Sequence, residues 1–174
     1  LKTELGILKI KTNKKMSEES INKFAIHGER CSGTNFLVAA ITKNFNIPFT
    51  NEYGHKHFFG FSSYKSSDSV LFIGIVRHPV EWLKSFWRKP HPLPRPNKKT
   101  PHAFLTTPIR SFNDVKPFGL IKEDRHMKTG KFYKNVFQLR KVKTKYLVNV
   151  MPTKVKHYIL IRYEDLRDSY EETL

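Results

Sequence analysis

Cysteine is almost missing from this chain: Cys31 stands alone among 174 residues. A single thiol excludes an intrachain disulfide framework and fits a reducing compartment, so the cytoplasm is the expected location. Acidic residues are also scarce, with 15 Asp and Glu against 32 Lys and Arg, a formal net charge of +17. Such an imbalance attracts polyanions: nucleic acid, anionic lipid, sulfated glycan or nucleotide phosphates. Long apolar runs are absent, and none approaches the ~20 residues that a membrane-crossing helix needs. No secretory leader and no internal repeat is visible either.

What is present is enough for one domain with a real core. Hydrophobic residues make up 39% of the chain, and Phe, at 14 residues, outnumbers Tyr and Trp together. That is a globular composition rather than a disordered one. Residues 1–22 are polar and lysine-rich around the patch "LGILKI" and read as a lead-in or hairpin remnant. From residue 23 onward, strand and helix patterns alternate. "KFAIHG" (23–28) is a short apolar run ending in Gly, a buried strand. In "TNFLVAAITKNF" (34–45), Phe36, Leu37, Ala40, Ile41 and Phe45 recur at helical spacing. "NEYGHKHFFGF" (51–61) reads as a short strand with a flanking loop. "SVLFIGIVRHP" (69–79) is the strongest strand. "PVEWLKSFWRK" (79–89) follows it as a helix with Pro in its first turn and Val80, Leu83, Phe86 and Trp87 on one side.

Residues 89–130 then read as an irregular, basic insertion holding seven of the ten prolines. "GKFYKNVFQLRKVKTKYLVNVM" (130–151) reads as a basic helix with Phe132, Val136, Leu139 and Val142 inward. "KHYILIRYEDL" (156–166) is a last strand with a helix starting at Asp165. Strands alternating with helices imply an α/β domain over 23–174, three layers around a central parallel sheet.

Two stretches carry chemistry. Between the first strand and first helix lies "GERCSGTN", where Gly28 and Gly33 keep the G-x-x-x-x-G spacing of a phosphate loop. The Lys and Ser/Thr that hold a triphosphate and Mg²⁺ are replaced by Thr34 and Asn35. A loop of this kind still offers backbone N–H groups, hydroxyls and a helix terminus to an anion that needs no metal. The second stretch is "VRHPVEWLKS". Arg77 ends a buried strand and Ser85 lies eight residues on, in the following helix. An Arg at the carboxyl edge of a parallel sheet suits a phosphate, with Ser85 adding a hydroxyl.

"GERCSGTNFL", then "VRHPVEWLKSFW", then "LIRYEDL", in this order, resembles the sulfotransferases that use 3′-phosphoadenosine 5′-phosphosulfate (PAPS). The match spans roughly residues 23–90 and 156–168. The resemblance implies a P-loop sulfotransferase-like architecture and PAPS as donor, with no metal required. It implies that Ser32, Gly33, Thr34 and Asn35 wrap the 5′-phosphosulfate, and that Arg77 and Ser85 hold the 3′-phosphate. Phe36 and Tyr163 fall where that family meets the adenine. The family has Lys or Arg directly before Ser-Gly-Thr. Cys31 stands there in this chain, with Arg30 one residue earlier. A further basic, Gly-containing loop of the family would follow residue 174, so the resemblance implies a chain cut short at its C-terminus.

Sulfuryl transfer needs a base for the acceptor proton, cations for charge on the transferring group, and positioning. "GHKHFF" supplies His55, Lys56 and His57, with His57 twenty residues before Arg77. The family's base lies at a comparable distance, and Lys-His-aromatic is a pattern found within it. His57 is therefore expected to be the base, with His55 in reserve and Lys56 stabilising the leaving or bridging oxygen. In an extended segment, His55 and His57 would share a face and Lys56 would point away. The remaining histidines (His27, His78, His91, His102, His126 and His157) show no metal-ligand spacing. The basic segments 89–108 and 131–145 suit an anionic acceptor, such as a carbohydrate. Three other classes stay open: a P-loop nucleotide kinase, a non-catalytic nucleic-acid or polyanion binder, and a sulfotransferase-like fold without activity. The first lacks Gly-Lys-Ser/Thr here; the second has only the basic helix to offer.

Overall fold

The structure is a computed structural model, and it describes residues 20–90, 93, 99–110 and 124–174. Three parallel strands form its centre: β1 (Lys23–Gly28), β2 (Val70–Val76) and β3 (His157–Arg162), in the order β1-β2-β3. Gly28 lies opposite Ile75, and Val76 opposite Arg162. The three carboxyl ends are therefore level within about one residue. Parallel neighbours need crossover connections, and helices supply most of them. The first crossover carries α1 (Thr34–Asn44). The second carries α2 (Pro79–Arg88), α3 (Pro101–Thr106) and α4 (Val136–Lys145). The chain then runs through a π-helical turn (Tyr146–Val150) and a 3₁₀ turn (Met151–Thr153) into β3, followed by α5 (Tyr163–Asp168) and α6 (Tyr170–Thr173).

Side chains alternate across the strands, so each strand feeds two cores. Phe24, Ile26, Ile73, Ile75 and Ile161 pack on one face against Leu37 and Ile41 of α1 and Leu166 of α5. Ala25, Val70, Phe72 and Tyr158 pack on the other against Phe59, Leu147 and Met151. A third cluster joins Trp82 and Phe86 to Leu93, Phe104, Ile109, Tyr133, Val136 and Leu139. Gly74 has a specific task within β2. A Cβ there would lie 2.1 Å from the Tyr158 hydroxyl. Without one, Tyr158 crosses the strand and donates to Leu147 O at 2.7 Å, tying the sheet to the π-helical turn.

Several expectations need correction. Residues 51–61 form turns, not a strand. Phe58 N bonds to His55 O at 2.9 Å, which closes a turn and sends Phe58 and Phe59 into the core. The free edge of β1 is met instead by residues 48–50, with Phe24 N on Pro48 O and Thr50 N on Phe24 O. On α2 the buried seam is Trp82 and Phe86, while Val80 is 52% exposed. The Trp82 indole N–H donates to Arg30 O, which fixes the helix's rotation. The expected helix 130–151 begins only at Val136, where Asn135 caps it by accepting from Gln138 N. Phe132 precedes it and lies near the Arg110 and Arg125 guanidiniums.

The Pro-rich insertion is not irregular throughout. Thr100 caps α3, whose Phe104 is fully buried, and Leu93 and Ile109 join the same cluster. Residues 91–92, 94–98 and 111–123 of the insertion, and 1–19 of the lead-in, lie outside the described residues. The helix after β3 starts at Tyr163, two residues before Asp165.

Candidate functional site

All three chemical stretches follow directly on strand ends. Glu29 to Gly33 continue β1, Arg77 continues β2 and Tyr163 continues β3. With strands ~4.8 Å apart, the three ends lie side by side within ~10 Å. The carboxyl edge of a parallel sheet is where ligands of open α/β folds bind.

The loop from β1 turns tightly. Cys31 and Gly33 have φ of 63° and 94°, both left-handed, and Ser32 N bonds back to Glu29 O at 3.2 Å. Gly33 can be no other residue without disturbance. A Cβ on it would meet the Tyr163 ring at 2.2 Å. The same ring lies 4.4 Å beneath the Arg77 guanidinium. Gly33, Tyr163 and Arg77 thus stack in one contact series across three strand ends. α1 starts at Thr34 with no side chain capping it and no acid in its first turn. Its first N–H groups lack intrahelical acceptors, and the helix dipole adds positive potential there. Ser32 lies in the same loop, fully buried, and its hydroxyl has no hydrogen-bond partner.

Arg77 Nη1 donates to Cys31 O at 3.1 Å, while its Nε is buried and unpartnered. The Cys31 thiol donates to Lys89 O at 3.9 Å, lies near Ser85 and packs against the aromatic cluster of Trp82 and Phe86. Burial raises its pKa, and Ser85 and the nearby Arg30 and Arg77 offset only part of that, which keeps it a thiol. Ser85 therefore stands with Arg77 around Cys31. Arg30 turns the other way and lies 5.1 Å above the Phe58 ring, next to the His55–His57 turn. Phe36 is 44% exposed and leans on Tyr170 of α6, with ring centroids 6.1 Å apart. Glu164 of α5 accepts from His78 N at 3.0 Å and braces the start of α2.

The histidine turn is bound to the loop through backbone and side chain. Gly28 N bonds to Lys56 O at 2.9 Å, and Lys56 Nζ donates to Asn35 Oδ1 in the first turn of α1. Lys56 thus faces the loop together with the histidines, contrary to the alternation expected of an extended segment. The two imidazoles lie 5.2 Å apart, edge to face. Their tautomers differ. His57 Nδ1 is 2.9 Å from Gly28 O, and a carbonyl only accepts, so Nδ1 carries the proton and Nε2 keeps its lone pair. His55 Nδ1 accepts from His57 N at 3.2 Å, so its lone pair is already used. Burial first, then Arg30, holds both rings neutral. His57 is pushed well below the usual imidazole range and His55 down to about 4. Burial and Arg30 also lower Lys56.

Beneath this layer lies a charge network that sequence patterns did not reveal. Arg140 of α4 pairs with the buried Glu29 and donates from Nη2 to Arg77 O. Lys143 is 2% exposed, pairs with Asp124 at 2.6 Å and donates to His57 O. Burial pushes Glu29 up to about 7 against the pull of Arg140 and Lys143, and raises Asp124 as well. One signal was there to be read: the buried set of α4 is Val136, Leu139 and Lys143, spaced i, i+3, i+7, with a lysine on the apolar stripe. Among the described residues, no three His, Cys, Asp or Glu side chains gather as a metal site, and no helix is long and apolar enough to cross a membrane. No protein-family model, no curated protein and no solved structure matches this chain.

Proposed function

We propose that this domain transfers a sulfuryl group from PAPS to a hydroxyl or amine acceptor. The observation that carries this reading is the pairing of an uncapped, acid-free helix terminus with a neutral imidazole whose Nε2 is free. The two are tied together by Gly28 and by the Lys56–Asn35 contact. The unpartnered Ser32 hydroxyl and the Arg77 Nε are donors suited to an anionic ligand. In this reading Ser32, Gly33, Thr34 and Asn35 receive the 5′-phosphosulfate, and Arg77 with Ser85 receives the 3′-phosphate. The Tyr163 ring and Phe36 flank the adenine. His57 Nε2 takes the acceptor's proton as the acceptor oxygen or nitrogen bonds to sulfur. The bond between sulfur and the 5′-phosphate oxygen breaks, and Lys56 and Arg30 offset the charge that develops there. The product nucleotide, 3′,5′-bisphosphoadenosine (PAP), leaves. An anionic acceptor, such as an acidic carbohydrate, suits the basic surface.

Calorimetric titration with PAP, and with ATP plus Mg²⁺ for comparison, tests the reading. Micromolar PAP binding is expected, weakened by Ser85→Ala and lost in Arg77→Ala. His57→Ala should spare binding and abolish turnover. A folded chain that binds Mg-ATP and ignores PAP would refute the proposal.

A further inference from the structure

We infer that α4 is the brace of this site, with Arg140 and Lys143 as positioning residues for Arg77 and His57. The inference rests on the reading above for what the site does, but its geometry stands by itself. The two cations are three residues apart and so lie on one face of the helix. Each makes the same double contact. Arg140 grips a buried carboxylate, Glu29, and the backbone carbonyl of Arg77. Lys143 grips a buried carboxylate, Asp124, and the backbone carbonyl of His57. The carbonyls belong to the phosphate-facing arginine and to the base. The Arg140 guanidinium also covers the Trp82 ring at 4.8 Å, whose N–H holds Arg30 O.

One helix face thus grips backbone in two segments, the end of β2 and the histidine turn, and a side chain of a third, the Gly loop. Stability alone does not account for this choice. Buried ion pairs gain little over apolar packing unless every polar atom is satisfied. Here Glu29 Oε1 and Asp124 Oδ1 are buried without partners. What the network supplies is a fixed distance between the donor-binding arm and the base, which in-line transfer demands.

The test separates the two arms. Arg140→Met with Glu29→Gln removes one pair, and Lys143→Met with Asp124→Asn removes the other, so neither leaves a lone buried charge. Calorimetry with PAP and long-range ¹⁵N–¹H spectra of the His57 ring are read for each, alongside thermal unfolding. The first double variant should weaken PAP binding by about tenfold or more, the scale of a released charged contact, and leave the His57 tautomer unchanged. The second should leave PAP affinity within about twofold and replace the single Nδ1–H tautomer of His57 with a mixture. A merely structural role predicts lower melting temperatures in both variants and no such split, and that result would overturn the inference. If a double variant does not fold, the near-isosteric Glu29→Gln and Asp124→Asn alone should show the same split in smaller degree. If the wild-type chain binds no PAP, the donor reading fails, and the His57 spectra of the second variant decide the brace by themselves.

Discussion

Replacing His27 by Phe should remove much of the protein's sensitivity to mild acid. His27 sits at the end of β1, 1% exposed, stacked on Phe59 with ring centroids 5.3 Å apart and close to Phe72 and Tyr64. Neither ring nitrogen has a partner. Burial, assisted by His55, lowers its pKa to about 3, against 6.5 for an unrestrained imidazole. The unfolded chain therefore takes up a proton below pH 6.5 that the folded chain refuses. The stability at stake is fully present above pH 6.5 and is lost as pH falls toward 3. Between pH 7.5 and 5.0 the linkage amounts to about 1.4 × 1.5, or about 2 kcal/mol. With a urea slope of ~2 kcal/mol/M, the wild-type midpoint should fall by about 1 M from this group alone. Other groups titrate in the same range. His55 acts in the same direction, while Glu29, pushed up to about 7, binds its proton in the folded state and opposes it between pH 4.5 and 7. The quantity to measure is therefore the difference between the wild-type and His27→Phe urea midpoints at pH 7.5 and at pH 5.0. That difference should move by about 1 M in favour of the variant on acidification. Equal differences at the two pH values would show that His27 is not denied its proton, and the burial argument would fail.

Other substitutions probe the site and its supports. Gly33→Ala places a Cβ 2.2 Å from the Tyr163 ring at a φ of 94°. Left-handed strain alone costs about 1–2 kcal/mol, and the displaced ring releases Arg77. A melting temperature lower by several degrees together with loss of PAP binding is expected, and a variant that binds PAP normally would refute the stacking role. Tyr158→Phe leaves the Leu147 carbonyl without its donor and should cost about 1–2 kcal/mol in urea unfolding. An unchanged midpoint would mean that the tie between β3 and the π-helical turn carries no stability.

The strands and the Gly loop were legible because their signals are local. An apolar run bounded by Gly, or by His-Pro, has few other solutions, and β1, β2 and α1 fall where the pattern puts them. The histidine turn was misread because "NEYGHKHFFGF" is rich in aromatics, as strands are, while a backbone bond from Phe58 to His55 closes a turn there. The preference for His57 over His55 rested on the resemblance alone, since which ring nitrogen meets the Gly28 carbonyl is set by the fold and leaves no mark in the sequence. Arg140 and Lys143 were passed over for another reason, although the place of Lys143 on the apolar stripe of α4 hinted at burial. A lysine read from sequence is taken as solvated, and only the partners Glu29 and Asp124, 111 and 19 residues away, make burial tolerable. Cys31 was legible as a departure from the resemblance. Its inward packing, with Arg30 turned toward the histidines, shows how the loop accommodates it.

The contact of Tyr163 on Gly33 also has a consequence for biosynthesis. The two residues are 163 − 33 = 130 positions apart. At ~5–20 residues per second, the ribosome needs roughly 7–26 s to make the stretch between them. Once β2 has been made within that interval, β1 and β2 can pair, but the β2 edge that β3 will cover stays open, and the ring that packs on Gly33 does not yet exist. An open edge rich in Val and Ile is a template for pairing with other chains. The nascent protein is therefore most exposed to misassembly in the seconds before β3 emerges. Slow translation across residues 89–156 would lengthen that window rather than help the fold.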